Sequence, residues 1–253
     1  MGNIIYKFTD TVRAITGKRN RIQPTSAIIV ASGNSTRMGG ISKQIMMLDN
    51  IPVVARTIMA FDECEFINEI IVVAKAEEFY LYQEFQKIYH FKKLTKLVSG
   101  GATRQESVKN GFEAISKNSK FVAIHDGARC LITPEQIKTI CAAAYKCGGA
   151  TAATRAVDSV KISSGKNLFI ESSANRNHVW LAQTPQVFRA DMYDLALIKA
   201  QKDGLEVTDD NSLMENISVR IKLIECGRNN LKITTPDDIP LALAIIKSRE
   251  ESR

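Results

Sequence analysis

Residues 27–44 read AIIVASGNSTRMGGISKQ. The first five, Ala27-Ile28-Ile29-Val30-Ala31, are small or β-branched and uncharged, the composition of a strand buried on both faces of a parallel sheet. Ser32-Gly33-Asn34-Ser35-Thr36 then breaks the run with residues suited to a tight turn, and the cations Arg37 and Lys43 follow. Small residues let backbone N–H groups approach a polyanion, and nearby cations neutralise charge that the amides only orient. The stretch therefore predicts a strand ending in phosphate-handling machinery. It is neither a Walker loop nor a dinucleotide fingerprint, because Gly33 and Gly39 satisfy neither spacing. Taken alone, the segment also fits a surface turn with two solvated cations.

Outward from this strand the chain alternates. Apolar strand-like runs recur at residues 69–74, 94–98, 121–124, 149–153 and 219–224, with helical patterns between, such as 52–61 and 105–116. That rhythm predicts an α/β fold, a doubly wound, mostly parallel sheet covered on both faces. Thr133-Pro134-Glu135-Gln136 and Thr235-Pro236-Asp237-Asp238 each read as an N-cap threonine with proline at the first helical position. Residues 157–171 read as a hairpin around Ser164-Gly165, part of a β-arm at about residues 154–174 that projects from the sheet. The expected organisation is an N-terminal extension over 1–24, a single domain over 25–247 containing the arm, and a tail over 248–253. There is no internal repeat or low-complexity tract.

Composition narrows the function. The 253 residues, 45% hydrophobic and 24% charged, suit one soluble globular domain. The net charge is +7, but the basic residues are scattered, without an arginine-rich tract, aromatic ladder or zinc spacing, so nucleic acid is not expected as a partner. Anionic small substrates account for part of the charge. Cys64, Cys130, Cys141, Cys147 and Cys226 are odd in number and form no C-x-x-C pair, which indicates neither a zinc site nor a disulfide framework and points to a reducing cytoplasm. No stretch approaches the roughly 20 apolar residues of a membrane span. In the extension, Ile4, Ile5, Phe8, Val12 and Ile15 form a helical apolar stripe before the basic run Lys18-Arg19-Asn20-Arg21. Such a helix can lie on a membrane or serve as an address; the expectation here is that it docks on its own protein or frays.

Four constellations fall where the chain should turn at the carboxyl edge of the sheet, the edge where open α/β folds bind ligands. His125-Asp126-Gly127-Ala128-Arg129 ends a strand with a carboxylate, which suits a hard Mg²⁺ ion that keeps waters and bridges to phosphates, although a strand-end aspartate can simply cap a turn. Ser99-Gly100-Gly101-Ala102-Thr103-Arg104-Gln105-Glu106-Ser107 offers glycines to a flat ligand and, in Ser107, a hydroxyl to a base edge. Residues 175–188, NRNHVWLAQTPQVF, set a polar segment with Arg176 ahead of Trp180, the only tryptophan. Thr208-Asp209-Asp210-Asn211-Ser212 and Lys232-Ile233-Thr234-Thr235-Pro236-Asp237 complete the set.

The first loop resembles the A-A-G-x-G-x-R-M…P-K-Q signature of nucleotidyltransferases. The ordered set H-D-G-A-R, R-x-x-x-W-x-x-Q-T-P-Q-x-F, T-D-D-x-S and N-x-K-I-T-T-P-D-D resembles one family, the 2-C-methyl-D-erythritol 4-phosphate cytidylyltransferases, over about residues 25–247. The resemblance implies a Rossmann-like nucleotidyltransferase fold that transfers CMP from CTP to 2-C-methyl-D-erythritol 4-phosphate with Mg²⁺ or another divalent cation. By position it implies that Ala31, Ser32, Gly33, Gly101 and Ser107 hold cytosine and ribose, and that Arg37, Lys43 and Lys232 supply catalytic charge. Asp126 becomes the metal ligand, and Arg129, Ser159, Arg176 and Thr208 surround the polyol phosphate or the reacting phosphates. Arg176 falls on an arm that a partner subunit contributes, so a homodimer with composite sites is implied. The chemistry needs no side-chain nucleophile or general base, since the acceptor phosphate is ionised at neutral pH, and His125 is left to anchor the Asp126 turn.

The chain departs from the family pattern at Ser35 for glycine, Ser32 for alanine, Ser42 for proline, Cys130 for proline and Asn229 for an acidic residue, and its Arg37–Lys43 interval is one residue short. Two other readings stand beside the first: a pentitol (ribitol) 5-phosphate cytidylyltransferase, and a nucleotide-binding relative without turnover. Trp180 and the Thr208-Asp209-Asp210 run favour the methylerythritol substrate over the pentitol, and retention of Arg37, Lys43, Asp126, Arg176 and Lys232 favours an enzyme.

Overall fold

A computed structural model describes residues 22–33, 43–165 and 168–251. The expected N-terminal helix, and the loop bearing Ser35 and Arg37, lie outside the described residues. The decisive apolar run is β1 (Thr25–Val30), and it sits inside a seven-stranded sheet. The other strands of this sheet are β4 (Glu69–Ala74), β5 (Leu94–Ser99), β6 (Phe121–Asp126), β7 (Gly149–Arg155), β10 (Trp180–Arg189) and β11 (Lys222–Glu225), in the order β11-β7-β10-β6-β1-β4-β5. A short ribbon, β2 (Met47–Leu48) with β3 (Ile51–Pro52), and a separate hairpin, β8 (Val160–Ser163) with β9 (Ile170–Ala174), lie outside it. The helices are α1 (Val53–Glu63), α2 (Phe79–Tyr89), α3 (Arg104–Glu113), α4 (Pro134–Cys147), α5 (Ala190–Asp203), α6 (Asp210–Glu215) and α7 (Asp238–Glu251). Among the described residues no helix is long and apolar enough to cross a membrane.

Because successive side chains of a strand point to opposite faces, the unbroken apolar run of β1 serves two cores. Ala27 and Ile29 join Val54, Ile58 and Phe61 of α1 and Ile137, Ile140 and Ala144 of α4. Ile28 points the other way, to Val108 of α3, Tyr193 and Leu197 of α5 and Leu213 of α6. A third cluster packs Ala242 and Ile246 of α7 against Leu48, Val53, Leu131 and Ile233. Helix α4 begins as its sequence predicts: Thr133 Oγ1 accepts from Gln136 N and Gln136 Oε1 accepts from Thr133 N, a complete capping box with Pro134 next.

Two elements differ from the sequence pattern. The pattern gives no strand over residues 180–189, yet β10 is the longest strand of the sheet and its one antiparallel member, paired with both β6 and β7. Its middle holds Gln183, Thr184 and Gln186, polar side chains that are buried, so no apolar run betrays it. They are satisfied by hydrogen bonds instead, for example Asn230 Nδ2 donating to Gln183 Oε1 and to Thr184 O, both at 2.9 Å. Helix α7 starts at Asp238, two residues later than a Thr235 cap would place it. Asp238 Oδ2 accepts from the backbone N–H groups of Thr234 and Thr235, each at 2.8 Å, so Thr235-Pro236 makes a turn ahead of the helix.

Candidate functional site

The sheet places β1 beside β6 with Val30 paired to Asp126, so the first turn and the H-D-G-A-R segment leave the same edge together. Gly127 closes the corner: its N–H donates to Val30 O at 2.9 Å, and a Cβ there would stand 2.9 Å from Gln44 Oε1 and 3.1 Å from that same carbonyl. The Asp126 carboxylate receives Lys232 Nζ at 2.9 Å, Arg129 Nε at 3.6 Å and Arg104 Nε at 3.7 Å. Burial works against its charge, but these cations, Lys232 foremost, outweigh burial and hold the carboxyl well below the ordinary carboxylate range.

Behind Asp126 the hydrogens are determined. His125 Nε2 lies 3.2 Å from Arg129 O, and a carbonyl only accepts, so Nε2 carries the proton. Nδ1 then accepts from the Thr184 hydroxyl at 3.1 Å, and Thr184 Oγ1 in turn accepts from Asp126 N at 3.0 Å. Burial pulls the imidazole pKa down to about 3 despite the opposing pull of Asp126. A histidine held neutral at ordinary pH thus ties β6, β10 and the turn to Arg129 into one unit.

The other wall comes from the turn after β5 and the start of α3. Thr103 caps the helix by accepting from Glu106 N, and Glu106 Oε2 accepts from Ala102 N at 2.7 Å, which holds the turn rigid. Arg104, the first helical residue, reaches back between two carboxylates, Asp126 and Asp210, with NH1 at 2.8 Å from Asp210 Oδ2. Asp210 Oδ1 accepts from the buried Tyr193 hydroxyl at 2.6 Å. Burial penalises the guanidinium, yet Asp210 and Asp126 together raise its pKa above the ordinary arginine value.

Ser32, Gly33, Lys43, Gly101, Ser107, Asp126 and Lys232, all marked out by sequence, line one cavity of about 620 Å³ with Lys75, Gly100 and Arg104. Ala31 is buried, and Arg129 stands behind Asp126, its NH1 donating to Asn230 O at 2.9 Å. The remaining marked residues are elsewhere. Ser159 lines a separate cleft of about 310 Å³ with Arg155 and Arg228, Arg176 NH1 donates to Val157 O at 2.9 Å next to the β8–β9 hairpin, and Thr208 is exposed just before the Asp209 cap of α6. Arg37 lies outside the described residues. Sequence reasoning gave no role to Arg104, Asp210 or Thr184. Each lies inside a quoted motif, and a charged or hydroxyl residue within such a motif was the only available signal.

Among the described residues no three His, Cys, Asp or Glu side chains gather as a metal cage. Asp126 offers an ionised carboxylate to a cavity that Glu77 also lines, a donor set that fits an ion completing its shell with phosphate oxygens and water. Lys43, Arg104 and Lys232 on the cavity wall suit a polyphosphate, and the glycine turn leaves a side-chain-free surface for a flat ring.

The sequence matches the family model described as 2-C-methyl-D-erythritol 4-phosphate cytidylyltransferase over residues 25–248. The protein of that name from Alkaliphilus oremlandii is 40% identical over 234 residues, 92% of this chain and 99% of that one. Its counterpart from Caldanaerobacter subterraneus subsp. tengcongensis is 41% identical over 219 residues, 86% and 96% of the two chains. Among solved structures, the 4-diphosphocytidyl-2C-methyl-D-erythritol synthase of Anaerococcus prevotii superposes with a TM-score of 0.80 at 27% identity, covering 89% of this chain and 96% of that one. The Francisella tularensis 2-C-methyl-D-erythritol 4-phosphate cytidylyltransferase follows at 0.74 and 26%, covering 88% and 100%.

Proposed function

The chain belongs to the 2-C-methyl-D-erythritol 4-phosphate cytidylyltransferase family, and from that premise we propose that it transfers CMP from CTP to 2-C-methyl-D-erythritol 4-phosphate. The products are 4-diphosphocytidyl-2-C-methyl-D-erythritol and pyrophosphate. The observation that carries this reading is the ionised Asp126 at the end of β6, drawn on by Lys232, Arg129 and Arg104 beside a cavity whose opposite wall is a glycine turn.

An oxygen of the acceptor phosphate attacks the α-phosphorus of CTP, the bond to the bridging oxygen breaks, and pyrophosphate leaves with the electron pair. Two polyanions must approach, so the barrier is chiefly electrostatic and positional. Lys43 and Lys232 neutralise the developing charge, joined by Arg37. Arg129, Ser159, Arg176 and Thr208 hold the polyol phosphate. Asp126 would hold a divalent cation, Mg²⁺ by its preference for carboxylate, phosphate and water, which when bound shields the phosphates from each other. His125 carries no proton to the substrate; its two nitrogens are occupied in fixing the turn.

The working unit in this reading is a homodimer in the cytoplasm. Its support is the hairpin of β8 and β9, which stands apart from the main sheet and carries exposed Leu168, Phe169 and Ile170 at 81%, 75% and 66%. An exposed apolar cluster of this kind suits a protein partner, and a second copy would bring Arg176 and Ser159 to the cavity from which they are separate within one chain. All five cysteines are unpaired thiols, which suits a reducing compartment. The test is pyrophosphate release from CTP and Mg²⁺ with methylerythritol 4-phosphate and ribitol 5-phosphate offered separately. Release with the first alone is expected; release with ribitol phosphate alone would transfer the chain to pentitol chemistry.

A further inference from the structure

The first turn of α3 grips the segment that carries Thr208. Between the end of α5 at Asp203 and the start of α6 at Asp210 the chain is neither helix nor strand, so its backbone groups need partners from elsewhere. Gln105 supplies two of them: its Nε2 donates to Leu205 O at 3.2 Å, and its Oε1 accepts from Val207 N at 3.1 Å. A carbonyl only accepts and an N–H only donates, so both ends of the Gln105 amide are committed and its orientation is fixed. Leu205 and Val207 turn inward to the core around Ile28 and Tyr193, which leaves Glu206 and Thr208 exposed. Past Thr208 the chain is anchored again, by Arg104 NH1 at 2.8 Å from Asp210 Oδ2 and by Asp210 N donating to Gln186 Oε1 at 3.0 Å. Two consecutive residues at the start of one helix, itself capped by Thr103, thus hold Thr208 from both sides.

Resting on the cytidylyltransferase reading, in which Thr208 meets the polyol phosphate, we propose that Gln105 is a positioning residue for the acceptor. Its amide brackets Leu205 and Val207 and so sets where Thr208 stands relative to the nucleotide cavity. Arg104 ties the same helical turn to that cavity, which it lines, with Nε at 3.7 Å from Asp126 Oδ1. Gln105 does not line the cavity and acts only through the segment it holds. Its loss should therefore misplace the acceptor and leave the nucleotide alone, and small misplacements of a reacting group are costly.

The experiment compares wild type with Gln105→Ala and with Gln105→Met, which keeps the side-chain stem and removes both polar ends. In both variants kcat/KM for methylerythritol 4-phosphate should fall by about five- to thirtyfold, the span of two neutral hydrogen bonds, while equilibrium binding of CTP with Mg²⁺ and no acceptor stays as in wild type. In a Thr208→Ala background the same Gln105 change should cost less than about twofold, because the residue it positions has lost its contact. Equal weakening of CTP and acceptor, an undiminished loss in the Thr208→Ala background, or an unchanged acceptor constant would each overturn the proposal. Amide hydrogen exchange keeps this inference apart from the transferase reading. Exchange at Val207 should quicken by about three- to tenfold in Gln105→Met, with Gly100 and Gly127 as in wild type. That result in a protein that releases no pyrophosphate upholds the bracket and sinks only the transferase reading, whereas unchanged exchange at Val207 sinks the bracket whatever the activity.

Discussion

Asp126 and Lys232 approach to 2.9 Å across a long sequence separation, and both line the same cavity. A lysine aimed at reacting phosphates acts mainly on the transition state, so Lys232→Ala should lower kcat about a hundredfold or more, and steady-state turnover at the wild-type level would remove it from the mechanism. His125 gives a prediction in pH. Its folded pKa of about 3 lies below the ordinary imidazole value of 6.5, so below pH 6.5 the unfolded chain takes up a proton that the folded chain refuses. Its contribution to stability is therefore complete above pH 6.5 and is lost progressively as pH falls towards 3, on the order of 1 kcal/mol per unit. Urea unfolding of wild type and His125→Gln across pH 4.5 to 7.5 should show the steeper decline in wild type; parallel curves would refute the buried neutral imidazole. Asp126, Lys43 and Lys232 were legible in sequence because each sits in a short motif whose chemistry is local. Arg104 was not, because its meaning depends on Asp210, which only the fold brings within 2.8 Å.

At the scale of elements, the helix that carries Arg104 and Ser107 must lie close to the sheet, and one glycine sets the distance. A Cβ at Gly111 of α3 would stand 2.7 Å from Ile28 Cγ2 of β1 and 2.7 Å from Val73 Cγ2 of β4. On an exposed helix Gly→Ala stabilises by about 1 kcal/mol. Here overpacking against two rigid β-branched side chains costs about 1–3 kcal/mol, and it should win. Gly111→Ala should therefore lower the urea midpoint and raise KM for CTP as α3 is pushed off the sheet; a stabilised variant would show that the helix can shift freely. The same scale separates what could be read in advance from what could not. Strands β1, β4 and β6 are buried on both faces by apolar side chains, so their composition declares them. Strand β10 is buried through Gln183, Thr184 and Gln186, whose partners are supplied by β6, by Asp209 and by the loop at Asn230, and a polar sequence satisfied by distant partners carries no local signal. The α7 start was misplaced because Asp238, three residues past the expected Thr235 cap, accepts from the backbone N–H groups of Thr234 and Thr235 and so turns the chain ahead of the helix.

For the whole molecule, the alternation of elements was enough to predict the doubly wound sheet, but a single chain leaves its marked residues divided. Lys43, Asp126 and Lys232 line one cavity while Arg176 and Ser159 stand by the hairpin. If a partner's arm completes each site, inactivating substitutions at the two places should complement each other. Take Lys43→Ala and Arg176→Ala, each inactive alone. In a mixed dimer, the protomer that keeps Lys43 borrows Arg176 from its partner and regains a site, whereas the opposite site lacks both. Equal amounts, allowed to exchange subunits freely, give mixed dimers as half of the population with one working site in two, so activity should recover to about a quarter of wild type. Recovery must also vanish when the apolar tip is removed, and the double change Leu168→Ser with Phe169→Ser should shift the chain towards monomer in sedimentation and abolish complementation together. Sites built within one chain would give no recovery at any mixing ratio, since neither variant would then carry a complete set of its own, and full activity in the sedimenting monomer would place Arg176 outside the reaction altogether.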